Sequence, residues 1–328
     1  MEPLIHRILR RERRTVCPSL CIALLAVALA APSDAGIFKI SHLYSLSDFS
    51  GAIPYSAARL YPDASQEELY VDSGGKIRVF NAAGMEIFRF DDDPALGATY
   101  GLAVDEKGDI LLLSYDFSRP AEGPKYWITR CNYRGEPKER IAISGLPKEY
   151  SGFRPNVFCY RGGRFLLVSK SPMQAVETDR NGVFLKGYDF AEMIGIPEKD
   201  RPNTEIFGFC VDGEGSMYFT VPVLFQVSKI AADGKVSTFG KAGSAPGMFG
   251  VVSGIAVDGD GNLFVSDKRR HMVMVFDPQF RFLQEFGGYG EKKGSLAYPD
   301  ELSLDRSGRV YVSQMKKRGV SVFQVVPN

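Results

Sequence analysis

Residues 254–267 read Gly254-Ile255-Ala256-Val257-Asp258-Gly259-Asp260-Gly261-Asn262-Leu263-Phe264-Val265-Ser266-Asp267. Two apolar runs, Gly254–Asp258 and Asn262–Asp267, flank a tight turn. Gly261 can take the positive φ that such a turn needs. A Gly-rich loop, Gly240-Lys241-Ala242-Gly243-Ser244-Ala245-Pro246-Gly247-Met248-Phe249, comes before them, and Met272–Asp277 and Phe280–Gly287 follow. Each run is bounded by charge, Pro or Gly, so residues 240–287 read as four short strands. Strands this short and apolar suit a sheet covered on both faces. One such unit cannot cover both faces alone, so copies are expected.

The copies are present. Gly101-Leu102-Ala103-Val104-Asp105 leads into Ile110–Ser114, Gly208-Phe209-Cys210-Val211-Asp212 into Met217–Thr220, and Leu302-Ser303-Leu304-Asp305 into Val310–Ser313. Two looser copies fill the gaps, Val157–Tyr160 before Phe165–Ser169 and Leu60–Asp63 before Leu69–Asp72. The anchors Asp63, Asp105, Tyr160, Asp212, Asp258 and Asp305 recur at roughly fifty residues, the period of a four-stranded propeller blade.

On these residues the unit at 240–287 resembles an NHL repeat: a Gly-Pro-Gly-rich loop, then Gly-Ile-Ala-Val-Asp, Gly-Asn, a strand ending in Asp and a strand ending Val-Phe-Asp. The resemblance implies an all-β, six-bladed β-propeller of NHL type over residues 31–328. The last repeat, Leu302–Gln324, supplies only three strands. Ile37–Tyr44 precedes the first blade without a partner, so it is expected to pair with Gly319–Gln324 and close the ring.

Residues 1–30 read as a secretory signal peptide. Arg7, Arg10, Arg11, Arg13 and Arg14 form a basic start, Leu20–Ala30 an apolar core, and Ala28 and Ala30 an Ala-x-Ala cleavage site, with an alternative site after Ala35. That core is too short to span a bilayer. The localisation expected is export to the periplasm, the cell surface or the medium. The full chain has 40 basic and 39 acidic residues; losing the five Arg and two Glu of residues 1–30 takes it from +1 to about −2. A balance near zero argues against a nucleic-acid binder, which needs a basic field. Beyond the leader the cysteines are Cys131, Cys159 and Cys210. Cys159 and Cys210 fall one register position apart in adjacent blades, which points them to opposite faces as packed thiols rather than a disulfide.

A propeller presents its ligand-facing loops around the channel mouth. The loops expected there hold two basic clusters, Lys268-Arg269-Arg270-His271 and Lys316-Lys317-Arg318, together with Tyr115 and Arg154. They suggest a non-enzymatic binding or scaffold protein, monomeric and without a cofactor, whose partner is another envelope or extracellular protein or an anionic polysaccharide. Histidines are too few for a His-based centre, with only His42 and His271 beyond the leader. Asp258–Asn262 opens like a calcium loop, but Leu263 and Arg269 stand where Gly and Glu are required. Asp91–Asp93 reads as an acidic turn. The resemblance to lactonase-like six-bladed propellers offers the alternative, a calcium-dependent hydrolase with Asn156, Glu205 and Asp300 at the channel mouth.

Overall fold

The computed structural model describes residues 38–63, 67–90, 96–116 and 125–328. The expected leader and Asp91–Asp93 lie outside the described residues. Six four-stranded antiparallel sheets follow one another along the chain, the six blades of a β-propeller. Blade one starts at Arg59–Asp63, blade two at Ala98–Val104, blade three at Val157–Arg161, blade four at Phe209–Val211, blade five at Val252–Val257 and blade six at Pro299–Leu304. Each of these is the innermost strand of its sheet.

The ring closes as the sequence indicates. Phe38–Ser45 pairs antiparallel with Val320–Pro327, in the register Phe38↔Pro327, His42↔Phe323 and Ser45↔Ser321. The N-terminal strand thus becomes the outer strand of blade six. The two ends of the described chain hold each other, and Val320–Pro327 is left with no open outer edge.

The core is divided among the blade interfaces. Leu60, Leu69 and Val71 meet Tyr311, Val320 and Val322 between blades one and six. Val168 and Ala175 meet Phe219 and Val221 between blades three and four, where Phe190 and Ala191 of the short helix Phe190–Met193 also pack. Phe264, Val273 and Val275 meet Val310, Val312 and Phe323 between blades five and six. Each sheet therefore buries both faces of its inner strands against its neighbours, which is why Met217–Val221 and Leu263–Asp267 are buried along their whole length while the outer Phe38–Ser45 alternates. Among the described residues no helix is long and apolar enough to cross a membrane.

The repeat motif has a physical reason at both ends. Its Asp closes the turn between the first two strands: Asp258 Oδ1 accepts the N–H groups of Asp260 (3.0 Å) and Asn262 (2.8 Å), and Oδ2 accepts from Asn262 Nδ2 (2.8 Å). Its first Gly lets neighbouring innermost strands touch. A Cβ on Gly254 would lie 2.4 Å from the Asp300 carbonyl oxygen, and one on Gly208 would lie 2.4 Å from that of Ser253. Any side chain at these two positions would force blades four, five and six apart at the channel.

Candidate functional site

The innermost strands line a central cavity of about 1410 Å³. Its upper part is framed by the heads of those strands and by a loop of blade three. Two of the strand heads that line it break register: between Val252 and Ile255, and between Pro299 and Leu302. Such a bulge bends the strand and re-aims the side chains within it. In blade six the bulge carries Asp300 and Glu301, and both line the cavity.

Four further polar residues line the same upper channel: Arg59 and Tyr61 of blade one, Asn156 at the head of blade three, and Lys170. Lys170 follows the strand Arg164–Ser169. Its N–H donates to Asn156 Oδ1 (3.1 Å), and its carbonyl accepts from the Ile206 N–H (3.0 Å). The backbone under this lysine is therefore tied to two blades. At the rim, Lys268 reaches Asp300 Oδ1 (2.7 Å), which also accepts from Ser253 Oγ (3.0 Å). Arg59 donates to Asp72 Oδ2 (3.2 Å) and to the Thr99 carbonyl (3.2 Å), and lies over the Tyr100 ring.

Arg59 and Lys268 are thus matched to carboxylates, Asp72 and Asp300. Lys170 and Glu301 are different. Among the described residues neither makes an ion pair, although each feels the other's charge. Burial pushes the Glu301 carboxyl above the usual carboxylate range, against the pull of Lys170, Arg59 and the Leu60 N–H. Burial also pushes the Lys170 ammonium below the usual lysine range, and the cations of Arg59 and Lys268 add to that, against Glu301 and Asp300. Tyr61 is raised well above the usual phenol range, first by burial and then by Glu301. Below them, Cys159 and Cys210 give part of their surface to the channel wall. Burial followed by Glu301 pushes the Cys159 thiol up to about 12. Both cysteines are free thiols. Cys210 packs against the core between blades four and five, close enough to Cys159 to feel its charge. The channel contact of both thiols was not foreseen.

The basic loop residues divide between exposed ones, Arg269, Lys316, Lys317 and Arg318, and partly buried ones, Lys268 and Arg270. Arg270 is 11% exposed and bonds Glu285 (2.9 Å) and the Met248 carbonyl (3.0 Å). His271 Nδ1 accepts the Tyr298 N–H (3.0 Å), and its ring sits between Tyr289 and Tyr298. It fastens the crossover from blade five to blade six. Arg318 donates to the Gly290 carbonyl (2.7 Å), and Lys316 lies 4.2 Å from the Tyr298 ring centre. Arg269, Lys317 and Arg154 are exposed. Tyr115 stacks on Tyr100 at 4.0 Å, on blade two.

The calcium set is not assembled either. Glu205 is exposed and does not line the cavity. Asp300 is engaged by Lys268, and Asn156 Oδ1 by the Lys170 N–H. Among the described residues no group of three or more His, Cys, Asp or Glu is placed to hold a metal ion. A hard divalent cation needs several free oxygen donors, and here ammonium and guanidinium groups already stand beside the channel carboxylates. The residues present do not fit calcium.

Sequence reasoning missed Glu301, Arg59, Tyr61 and Lys170 as site residues. The signal lay in the bulge. Strict alternation from Asp300 puts Glu301 on the other face, whereas the bulge brings both to the cavity.

No family model matches the chain. Among curated proteins it is similar to Protein brain tumor of Drosophila melanogaster, 34% identical over 77 residues. That match takes in 23% of this chain and 7% of that protein. Among solved structures, a streptogramin B lyase is similar with a TM-score of 0.57 at 14% identity, covering 88% of this chain and 98% of the other. A gluconolactonase from Xanthomonas campestris is similar with a TM-score of 0.56 at 15% identity, covering 89% and 92%. At such identities the likeness is one of fold. It nonetheless overturns the expectation of a non-enzymatic binder, because that expectation treated a clean repeat ring without a His-based centre as a scaffold. Solved structures of this fold carry enzyme names, and this ring places Lys170 and Glu301, half-buried and without ion pairs among the described residues, in its channel.

Proposed function

We propose that the chain is an enzyme acting by proton transfer on a small polar organic molecule held in the upper channel. Glu301 is the group that gives and takes the proton. The observation that carries this reading is the Glu301 carboxyl itself. It is raised by burial, makes no ion pair and opens on a cavity large enough for a metabolite. A carboxyl held above its ordinary range approaches the operating pH, where general acid–base catalysis works best. Arg59 in the channel and Lys268 at its rim, each held by a carboxylate, offer donors to a substrate that carries an anionic or strongly polar group. Tyr61 adds a hydroxyl that stays protonated. The lyase and gluconolactonase names borne by structures of similar fold support the reading of this ring as an enzyme.

The chemistry needs no group beyond this chain. Glu301 in its protonated form donates to a departing or carbonyl oxygen, and as carboxylate it accepts a proton from water or from an acidic C–H. We further infer that the blades are of NHL type, on the residue pattern at 240–287, and that residues 1–30 act as a leader for export.

The test is turnover on a panel of lactones, aryl esters and β-substituted carboxylic acids, with the wild type and Glu301→Gln side by side. The wild type is expected to turn over at least one class, and the variant to lose about 100-fold or more. Equal rates for the two proteins on every active compound would overturn the reading.

A further inference from the structure

We propose that Lys170 is an imine-forming nucleophile, and that the substrate class of the channel is a small carbonyl compound carrying a carboxylate. This rests on the reading of the channel as an active site and goes further, because it assigns a covalent step and a residue to it.

Among the described residues, Arg59, Lys170 and Lys268, whose charges act on one another, divide by partner. Lys268 is held by Asp300 and Arg59 by Asp72, so both are fixed as charges. Lys170 lines the same cavity, has no ion pair, and stands on a backbone pinned at both its N–H and its carbonyl. A lysine kept for charge would be expected to have a carboxylate at contact. A lysine kept for nucleophilicity needs a free amine, a fixed base, and neighbouring cations that disfavour its protonation. Burial and the charges of Arg59 and Lys268 act in that direction. Glu301 lies close enough to act on the Lys170 charge and is itself available for proton transfer. Arg59 and Lys268, whose charges reach Lys170, are the groups that would meet a carboxylate on the substrate.

The step balances without an added reagent. The Lys170 amine attacks the carbonyl carbon, forming a C–N bond while the C=O π pair moves to oxygen. Proton transfer from nitrogen to oxygen through Glu301 gives a neutral carbinolamine. A proton from Glu301 to its hydroxyl releases water and leaves the iminium. The positively charged nitrogen then stabilises carbanion character at the adjacent carbon, and hydrolysis reverses every step.

The experiment is reductive trapping of the full chain with pyruvate and sodium cyanoborohydride, read by intact mass and peptide mapping. The expected result is one adduct, with the mass of pyruvate less water plus the added hydride and proton, located on Lys170. It should appear faster than with acetone, which lacks the carboxylate. Lys170→Arg keeps the charge but cannot form the adduct, and should lose trapping by at least tenfold while keeping the wild-type Tm. Adducts spread over exposed lysines, with Lys170→Arg trapping like the wild type, overturn the proposal. If trapping fails while Glu301→Gln still abolishes turnover, the imine is wrong and the acid–base site stands. If both fail, the site itself is wrong.

Discussion

Lys170 and Glu301 carry opposite shifts, and each has a consequence for stability that can be checked. Glu301 is raised from 4.5 by burial. In the folded chain it keeps its proton at pH values where the unfolded chain has lost it. Its contribution therefore falls as pH rises from about 4.5 through the folded value. Glu301→Gln removes that fall, so its Tm should gain on the wild type across this window. Lys170 is lowered from 10.5 by burial. Between its folded value and 10.5 the unfolded chain holds the proton and the folded chain does not, so stability rises with pH there. Lys170→Met should flatten that rise in a Tm-against-pH series. Parallel curves for variant and wild type in either case would show that the group does not titrate as its surroundings indicate. Cys159, pushed up to about 12 by burial, is predicted to stay a thiol at pH 8. Iodoacetamide should label it slowly in the native protein and rapidly in denaturant, and rapid native labelling would mean a more open channel wall.

At the scale of the element, the loop between the second and third strands of blade five shows what its charges are for. Asp267 is buried, and its carboxylate accepts the N–H groups of Gly250 (2.6 Å), Val251 (3.0 Å), Arg269 (3.0 Å) and Arg270 (2.9 Å). The motif Asp that ends this strand is therefore the staple of the loop, and Asp267→Ala should destabilise the protein by about 3 kcal/mol. Chemical denaturation measures this; a loss below about 1 kcal/mol would mean that water replaces the four bonds. The closing strand was legible from counting alone, because blade six lacked a fourth strand and Ile37–Tyr44 lacked a partner. Deleting residues 36–46 should strip the outer strand from blade six and lower the Tm sharply. A truncation that melts with the full chain would show that the ring does not need it. The bulges were not legible. They depend on how tightly neighbouring strand heads approach, and a single sequence records this only as Gly254 and Gly208.

Over the whole molecule the fold was readable and the site was not, for one physical reason. A blade repeats because every blade meets the same packing demand, so Gly-Ile-Ala-Val-Asp and its copies announce themselves by recurrence. The channel site draws one or two residues from each of several blades: Arg59 and Tyr61 from one, Lys170 from another, Asp300 and Glu301 from a third. None recurs, and each looks unremarkable in its own stretch. The clusters that did stand out, Lys268–His271 and Lys316–Arg318, stood out because their charges are contiguous. In the ring several of those charges turn to carboxylates, carbonyls and aromatic rings of their own or the neighbouring blade. The central claim is that chemistry sits in the channel at Glu301 and not on the loop face. It is tested most directly by kcat/KM on whichever panel compound the wild type turns over. Glu301→Gln is compared there with a loop variant carrying Arg269→Ser, Lys316→Ser and Lys317→Ser. The account predicts a loss of about 100-fold or more for Glu301→Gln, with the loop variant within about twofold of wild type, since exposed charges of this kind act weakly and are screened. A loop variant that loses activity while Glu301→Gln keeps it would contradict the account.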